Sequence, residues 1–463
     1  MSVPVAVVGA PAPAVPARTR LMLEGPILVT LLRLALPNVV VVVVQACSSA
    51  VDAFYLGRLG PEVLAGVALV FPVWMLMVTM SSGGVGGGIS SSVARALGGG
   101  RHAEADDLVL HSLVLAVALA AIFTAATLLG GPLLYRTMGG GGLVLGTALT
   151  YSSIVFGGAL LVWLVNAQAN VLRGSGEMAV PATVIVAGEL CHIALAPLLI
   201  FGLGWGVAGA ATSLLVSYAL RMTALAVYLL GGRAAVRIPA GRPRLRVAAF
   251  REILRVALPG SLNTLLTNGN VVAVTSLVSP AGVYALAGYG LASRLEYLQI
   301  PIVFGFGTAL VTMVGTNVGA GQRERARRII WTGGLVAAAT TGVIGLIAAA
   351  LPGAWLDLFT ADERVVAAGA SYLQIVGPAF GFFGLGLALY FAAQGAGRLR
   401  FAIAAAIGRV LVAAGGGWLL VGALGLDLGW LFAAIALAHV GYGLSQALTV
   451  GRVAGVDTAG EGA

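Results

Sequence analysis

Twelve apolar runs, separated by short basic or glycine-rich connections, restrict this chain more than any other feature. A helix of about 20 apolar residues matches the hydrocarbon thickness of a bilayer. The first six runs centre on 31–56, 63–90, 107–130, 146–169, 179–201 and 207–230. Six more fall at 252–278, 284–314, 328–350, 366–393, 401–420 and 429–450. No stretch alternates with period two, which excludes a membrane β-barrel. The reading is an all-α membrane protein with twelve transmembrane helices. Composition agrees, with 59% hydrophobic and 9% charged residues where soluble domains average about 25% charged.

Every basic residue is arginine, 26 in all. Nineteen lie in connections on the side of the N-terminus, and only Arg58, Arg136 and Arg364 lie on the other. The positive-inside rule then puts both termini in the cytoplasm, with an even number of spans between them. The net charge of +9 is therefore read as facing an anionic membrane leaflet, and nucleic acid is not an expected partner. Cys47 and Cys191 both fall inside spans, so neither a disulfide nor a metal site is expected. Residues 1–23 read as a disordered tail, without the basic start of a cleaved signal peptide.

The chain is also duplicated. Leu32-Arg-Leu-Ala-Leu-Pro37 recurs as Leu254-Arg-Val-Ala-Leu-Pro259, and Leu64-Ala-Gly66 as Leu286-Ala-Gly288, both 222 residues on. Gly98-Gly-Gly100 matches Gly319-Ala-Gly321, and Gly174-Ser-Gly176 matches Gly395-Ala-Gly397, at 221. Each half holds six spans. An even number lets both halves enter the membrane the same way round, related by a pseudo-two-fold axis along the membrane normal. The expected organisation is a lobe over 24–230, a basic cytoplasmic linker over 231–251, a second lobe over 252–450 and a tail over 451–463. Two lobes around a central cleft permit alternating access. No nucleotide-binding loop, zinc motif or diphosphate-binding acidic pair is present, so an enzyme is not expected. The run Ser82-Gly-Gly-Val-Gly-Gly-Gly88 lies inside an apolar helix, where glycines serve close packing or a bend.

Several polar side chains lie at membrane depth, where a carboxylate costs about 2.5–3.5 kcal/mol to insert. Asp52 is the first. Its place in the second half is Val274, so whatever Asp52 does belongs to the first half alone. Arg294 and Glu296 lie on the eighth helix, two residues apart and so on different faces. Glu296 reads either as a carboxylate for cationic substrates or as a structural group, with Arg221 and Arg409 as countercharges whose partners sequence leaves open. Asn263, Thr267 and Asn270 share one face of the seventh helix and serve either substrate or helix contacts. Pro37, Pro72, Pro259 and Pro301 lie within spans and read as gating bends or static kinks.

With these residues in view, the chain resembles the multidrug and toxic compound extrusion (MATE) transporters, and among them the DNA-damage-inducible branch. The likeness rests on Glu24-Gly-Pro26, Leu34-Ala-Leu-Pro37, Val51-Asp52, Gly57-Arg-Leu-Gly60, Ala94-Arg-Ala-Leu-Gly-Gly-Gly100, Ser293-Arg-Leu-Glu296 and Gly315-Thr-Asn-Val-Gly-Ala-Gly321. It covers residues 24–450. The resemblance implies export of amphipathic or cationic organic compounds against proton or sodium entry, by a monomer in the plasma membrane. A lipid or lipid-linked saccharide flippase of the same superfamily is the alternative. Asp52 stands at the position of the family's first-helix carboxylate. The fifth helix departs from the pattern: His192 stands for an expected Asn, Ala196 for an Asp, and Leu214 on the sixth helix for a Thr. The loss of hard oxygen ligands weakens a sodium site, and an imidazole titrates near neutral pH. Asp52, His192 and Glu189 are therefore the expected proton-responsive cluster. For His192 the alternative is an interior histidine without a coupling role. For Glu189 it is a carboxylate paired with an intramembrane arginine.

Overall fold

The computed structural model describes residues 17–238 and 245–455, and their regular structure is all helical. A short α1 (Ala17–Glu24) leads into α2 (Ile27–Gly57). Next, α3 (Pro61–Thr79) continues through a π-helical segment, Met80–Val85, into α4 (Gly86–Gly98). After α5 (His102–Thr137), α6 (Gly142–Gly157) and α7 (Ala159–Gly174) form one span bent by 46° at the Gly157-Gly158 pair. The first half closes with α8 (Ala179–Pro197) and α9 (Gly206–Leu230).

The second half begins with α10 (Val247–Val278) and α11 (Val283–Gly319). It continues through α12 (Arg323–Ala350), a single turn α13 (Gly353–Leu356), α14 (Glu363–Val376) and α15 (Phe380–Ala396). α16 (Arg400–Val410) runs on as π-helix, and α17 (Leu428–Leu448) and the short α18 (Val450–Ala454) complete the chain. The helix limits repeat at the sequence offset: α3 to α4 starts at 61 and ends at 98, α11 at 283 and 319.

Among the described residues ten helices are long and apolar enough to span a membrane, and the bent α6–α7 pair makes an eleventh. The expected twelfth, α10, has the length, at 32 residues. Arg251, Glu252, Arg255, Asn263, Thr267, Asn268 and Asn270 dilute its apolar character. It packs on α4, α16 and the π segment. Other boundaries also move. Residues 17–23, expected as tail, belong to α1, which buries Met22. The linker ends at 246, where α10 begins, and its residues 239–244 lie outside those described. Residues 1–16 and 456–463 of the two tails do so as well. Helices run unbroken through Pro37, Pro72, Pro259 and Pro301.

The halves meet where helices approach without side chains between them. The glycine run explains itself here. A methyl group on Gly84 would press on Ser261, on Gly86 on Asn170, on Gly87 on Gln394 and on Gly88 on Ile253. At the ends of α4 and α11, Gly98 lies against the backbone of Thr316 and Gly319 against that of Arg95. Arg95 completes the seam: its guanidinium donates to the Gly395 carbonyl (2.9 Å) and to Glu252 (2.7 Å). α1 lies across the same end. Arg18 pairs with Glu177 of the first half, while Asn317 (3.1 Å) and Arg325 (3.4 Å) of the second both donate to the Met22 carbonyl. These contacts all lie toward the helix ends that carry the arginine-rich connections.

This seam predicts a cross-link. A Cβ built on Gly315 lies 3.0 Å from Ala94 Cβ, just inside the ~3.5–4.5 Å that a disulfide spans, so a slight parting of the two helices accommodates the bond. With Cys47 and Cys191 replaced by serine, the pair Ala94→Cys and Gly315→Cys should oxidise readily, seen as a reducible shift on gel electrophoresis. A pair that stays reduced under copper phenanthroline contradicts the packing.

Candidate functional site

Asp52 lies five residues before the end of α2, with Ser48 and Ser49 one turn before it on the same helix. Its partner comes from α8. His192 Nε2 lies 2.9 Å from Asp52 Oδ1 and 3.1 Å from Oδ2. The imidazole is buried, 2% exposed, while the carboxylate remains 34% exposed. The imidazole side of the pair is therefore buried and the carboxylate side partly exposed. Apolar groups bound it along the helices. Leu56, Ala196, Ile200 and Ala210 pack on one side, and Val41, Ala182 and Ile185 on the other. Ala196, where the family pattern has a carboxylate, is thus part of an apolar floor.

A third residue, Ser213 of α9, completes the group. Its Oγ lies 3.1 Å from His192 Nδ1 and 2.8 Å from the Ala210 carbonyl. A hydroxyl has one hydrogen. With that hydrogen on the Ala210 carbonyl, Nδ1–H donates to Ser213. Nε2 then either donates to ionised Asp52 or accepts from protonated Asp52. In both cases the pair holds one proton more than when Ser213 turns its hydrogen onto Nδ1. Rotation of one hydroxyl thus matches the gain or loss of one proton. Ser213 is adjacent to Leu214, where the lost family threonine aligns; that adjacency was the available signal.

Glu189, expected beside His192, stands elsewhere. Although three residues apart on α8, the two side chains meet different partners. Glu189 pairs with Arg221 of α9 at 3.1 Å. Arg221 is 1% exposed, donates to Ser217 Oγ (2.6 Å) and lies over the Tyr218 ring at 4.6 Å. Its side chain fills the space that a side chain at Gly188 would need. Asp52 likewise has no bond to Arg58, which lies over Phe54 and Phe201.

The residues expected on the substrate path divide. Glu296 is buried in the second half and accepts from the Tyr372 hydroxyl, with His439 Nε2 at 3.4 Å. Arg294 is exposed. Asn263, Thr267 and Asn270 are half-buried on α10, Thr267 lying 3.5 Å from Arg409. A small pocket of about 10 Å³, the room of a single water molecule, sits where the halves meet, lined by Ser90, Asn170, Phe304, Thr308, Phe391 and Gln394. Sequence reasoning picked out none of these six, because they converge from four helices far apart in the chain.

Two joined, duplicated halves of membrane-length helices, with ion pairs sunk at their centres, are the build of a multi-pass transporter. The MatE family profile matches twice, over residues 37–198 and 259–419, and the chain belongs to that family, whose members are transporters and not enzymes. The two matches are themselves displaced by 222 residues at their starts and 221 at their ends. A protein named FAD transporter from Shewanella oneidensis is 27% identical over 370 residues, 79% of this chain and 81% of that one. The probable multidrug resistance protein NorM of Thermotoga maritima is 25% identical over 76% of each. A transporter of the MOP superfamily from Pyrococcus furiosus superposes with a TM-score of 0.88 at 25% identity, covering 96% of this chain and 99% of that one. The outward-facing conformation of a multidrug resistance MATE family transporter superposes at 0.86, with 25% identity and coverage of 95% and 99%. Related MATE structures are described as bent and as straight, which fits alternating access. The narrower assignment to the DNA-damage-inducible branch gains no support from these relatives.

The Arg221 site gives a stability prediction. Gly188→Ala pushes the guanidinium off Glu189, and overpacking of this kind costs about 1–3 kcal/mol. Losing one partner of a buried ion pair costs about 3–5 kcal/mol. Gly188→Ala should therefore lower the melting temperature in detergent, and Arg221→Met should lower it further. Equal melting temperatures for parent and Arg221→Met contradict the pairing.

Proposed function

We propose that this protein is a secondary antiporter that exports amphipathic or cationic organic compounds in exchange for protons. Its two six-helix lobes would face each other across a cleft in the plasma membrane, with both termini cytoplasmic and the monomer as working unit. The observation that carries the reading is the Asp52–His192 hydrogen bond, its carboxylate partly exposed and its imidazole buried and backed by Ser213. Uptake of one proton makes such a pair neutral overall, as carboxylate and imidazolium or as carboxylic acid and imidazole, and its release leaves a single negative charge. Proton rather than sodium coupling is supported by the donor set. Asp52 is the one carboxylate there, beside an imidazole nitrogen, Ala196 and Leu214, and sodium asks for several oxygens.

The arrangement of the halves supports an outward-open state. They are joined at the arginine-rich end, the cytoplasmic one by the positive-inside rule. In this state a proton from outside reaches Asp52. Its arrival weakens the attraction of the carboxylate for a cationic substrate, which leaves outward. One relative is named for FAD, an anionic dinucleotide, so substrate charge is the part of this reading that family likeness does not fix.

Everted vesicles test the reading. An imposed proton gradient should drive transport of ethidium by the parent protein, and a sodium gradient alone should not. Asp52→Asn should reduce proton-driven transport to the level of vesicles without the protein, and His192→Ala should reduce it at least tenfold. Full activity in Asp52→Asn removes the coupling role. Movement of a lipid-linked saccharide analogue with no dye transport favours the flippase alternative.

A further inference from the structure

The second half contains a buried titratable group that the coupling site does not use. Glu296 of α11, Tyr372 of α14 and His439 of α17 converge near the middle of their spans. Tyr372 donates its hydroxyl hydrogen to Glu296 Oε2, and His439 Nε2 lies 3.4 Å from Oε1. Both Glu296 and His439 are at least nine-tenths buried. The charged and titratable groups facing them are Arg409 of α16 and, on α11 itself, Tyr289 and Tyr297. Arg409 is held over the rings of Phe383 and Tyr442, at 5.4 and 5.3 Å. The His439 ring packs on Phe383 with 4.9 Å between centroids, and its Nδ1 is buried with no partner.

Hydrogen counting gives the resting state. Tyr372 has one hydrogen and places it on Oε2. Ionised Glu296 then accepts from Nε2–H of a neutral His439, which leaves Nδ1 as a bare lone pair. The pair has room for one further proton. Taking it converts carboxylate and neutral imidazole into carboxylate and imidazolium, or into carboxylic acid and imidazole, with no other atom displaced.

The duplication argues that this pair is a site in its own right. Shifted by the repeat offsets, Glu296 and His439 correspond to Trp74 and Tyr218 of the first half. Those two rings also touch, edge to face, with centroids 6.0 Å apart. Conversely, Asp52 and His192 correspond to Val274 and Ala413, both buried in a single apolar cluster. The scaffold thus brings two side chains together at two places in each half. The first half carries its histidine–carboxylate pair at one place and an aromatic pair at the other. The second half has the reverse.

We propose that Glu296 and His439 form a second proton-binding site, so that one transport cycle takes up a proton in each half. This rests on the reading of Asp52 and His192 as the first site. The chain has four histidines, so protein labelled with ¹⁵N-histidine in nanodiscs reports each ring by NMR, assigned by His→Gln substitution. His439 should pass between neutral and cationic forms as the pH is varied. Glu296→Gln removes the anion that favours the cation, and should lower the midpoint by about one unit or more. Asp52→Asn should leave it unmoved. In proteoliposomes Glu296→Gln should halve the protons taken up per ethidium transported. A His439 ring that keeps one protonation state throughout in the parent protein overturns the proposal, as does an unaltered midpoint in Glu296→Gln. The parent titration needs no variant to fold. If His439 titrates while Asp52→Asn transports normally, the first site falls and the second stands.

Discussion

A charge placed in hydrocarbon must find its partner within the protein, and this requirement arranges the interior of the molecule. Three carboxylates lie at membrane depth, each met from a different helix: Asp52 by His192, Glu189 by Arg221, Glu296 by Tyr372 and His439. Each contact fixes how two or three helices lie against each other. The partners also differ in kind. An arginine stays charged and makes Glu189 a permanent structural ion pair. A histidine can lose its charge, which leaves the other two carboxylates free to change state.

The fold was largely legible because its cause is local. Apolar run length marks the spans, arginine placement marks one end, and recurring short motifs mark the duplication. Local composition and tertiary environment disagree in two places. α10 has the length of a span but carries enough Asn, Thr and charge to fall below the apolar standard of the others. Residues 17–23 have a weakly patterned sequence, and only docking of Met22 gives them a place.

The site was legible only in part, for the same reason. Asp52 declares itself by being costly where it stands, and His192 by replacing a polar residue of the family pattern. Glu189 misleads: spacing of three on α8 suggests a shared partner, yet one turn along the helix is enough to reach a different residue of α9. Ser213, His439 and Tyr372 carry no such mark. Serine, histidine and tyrosine occur within apolar runs for many reasons, and convergence from helices far apart in sequence is a property of the packing alone.

The eight residues of α1 carry a consequence for how the halves can separate. One end of this helix is held by Glu177 of the first half, and the Met22 carbonyl by Asn317 and Arg325 of the second. A rigid rotation that parts the halves at this end cannot keep both attachments. One must tear, and its strength relative to the other decides which half carries the N-terminal segment away. The helix is in that sense a mechanical fuse, set by one ion pair against two hydrogen bonds to a single carbonyl.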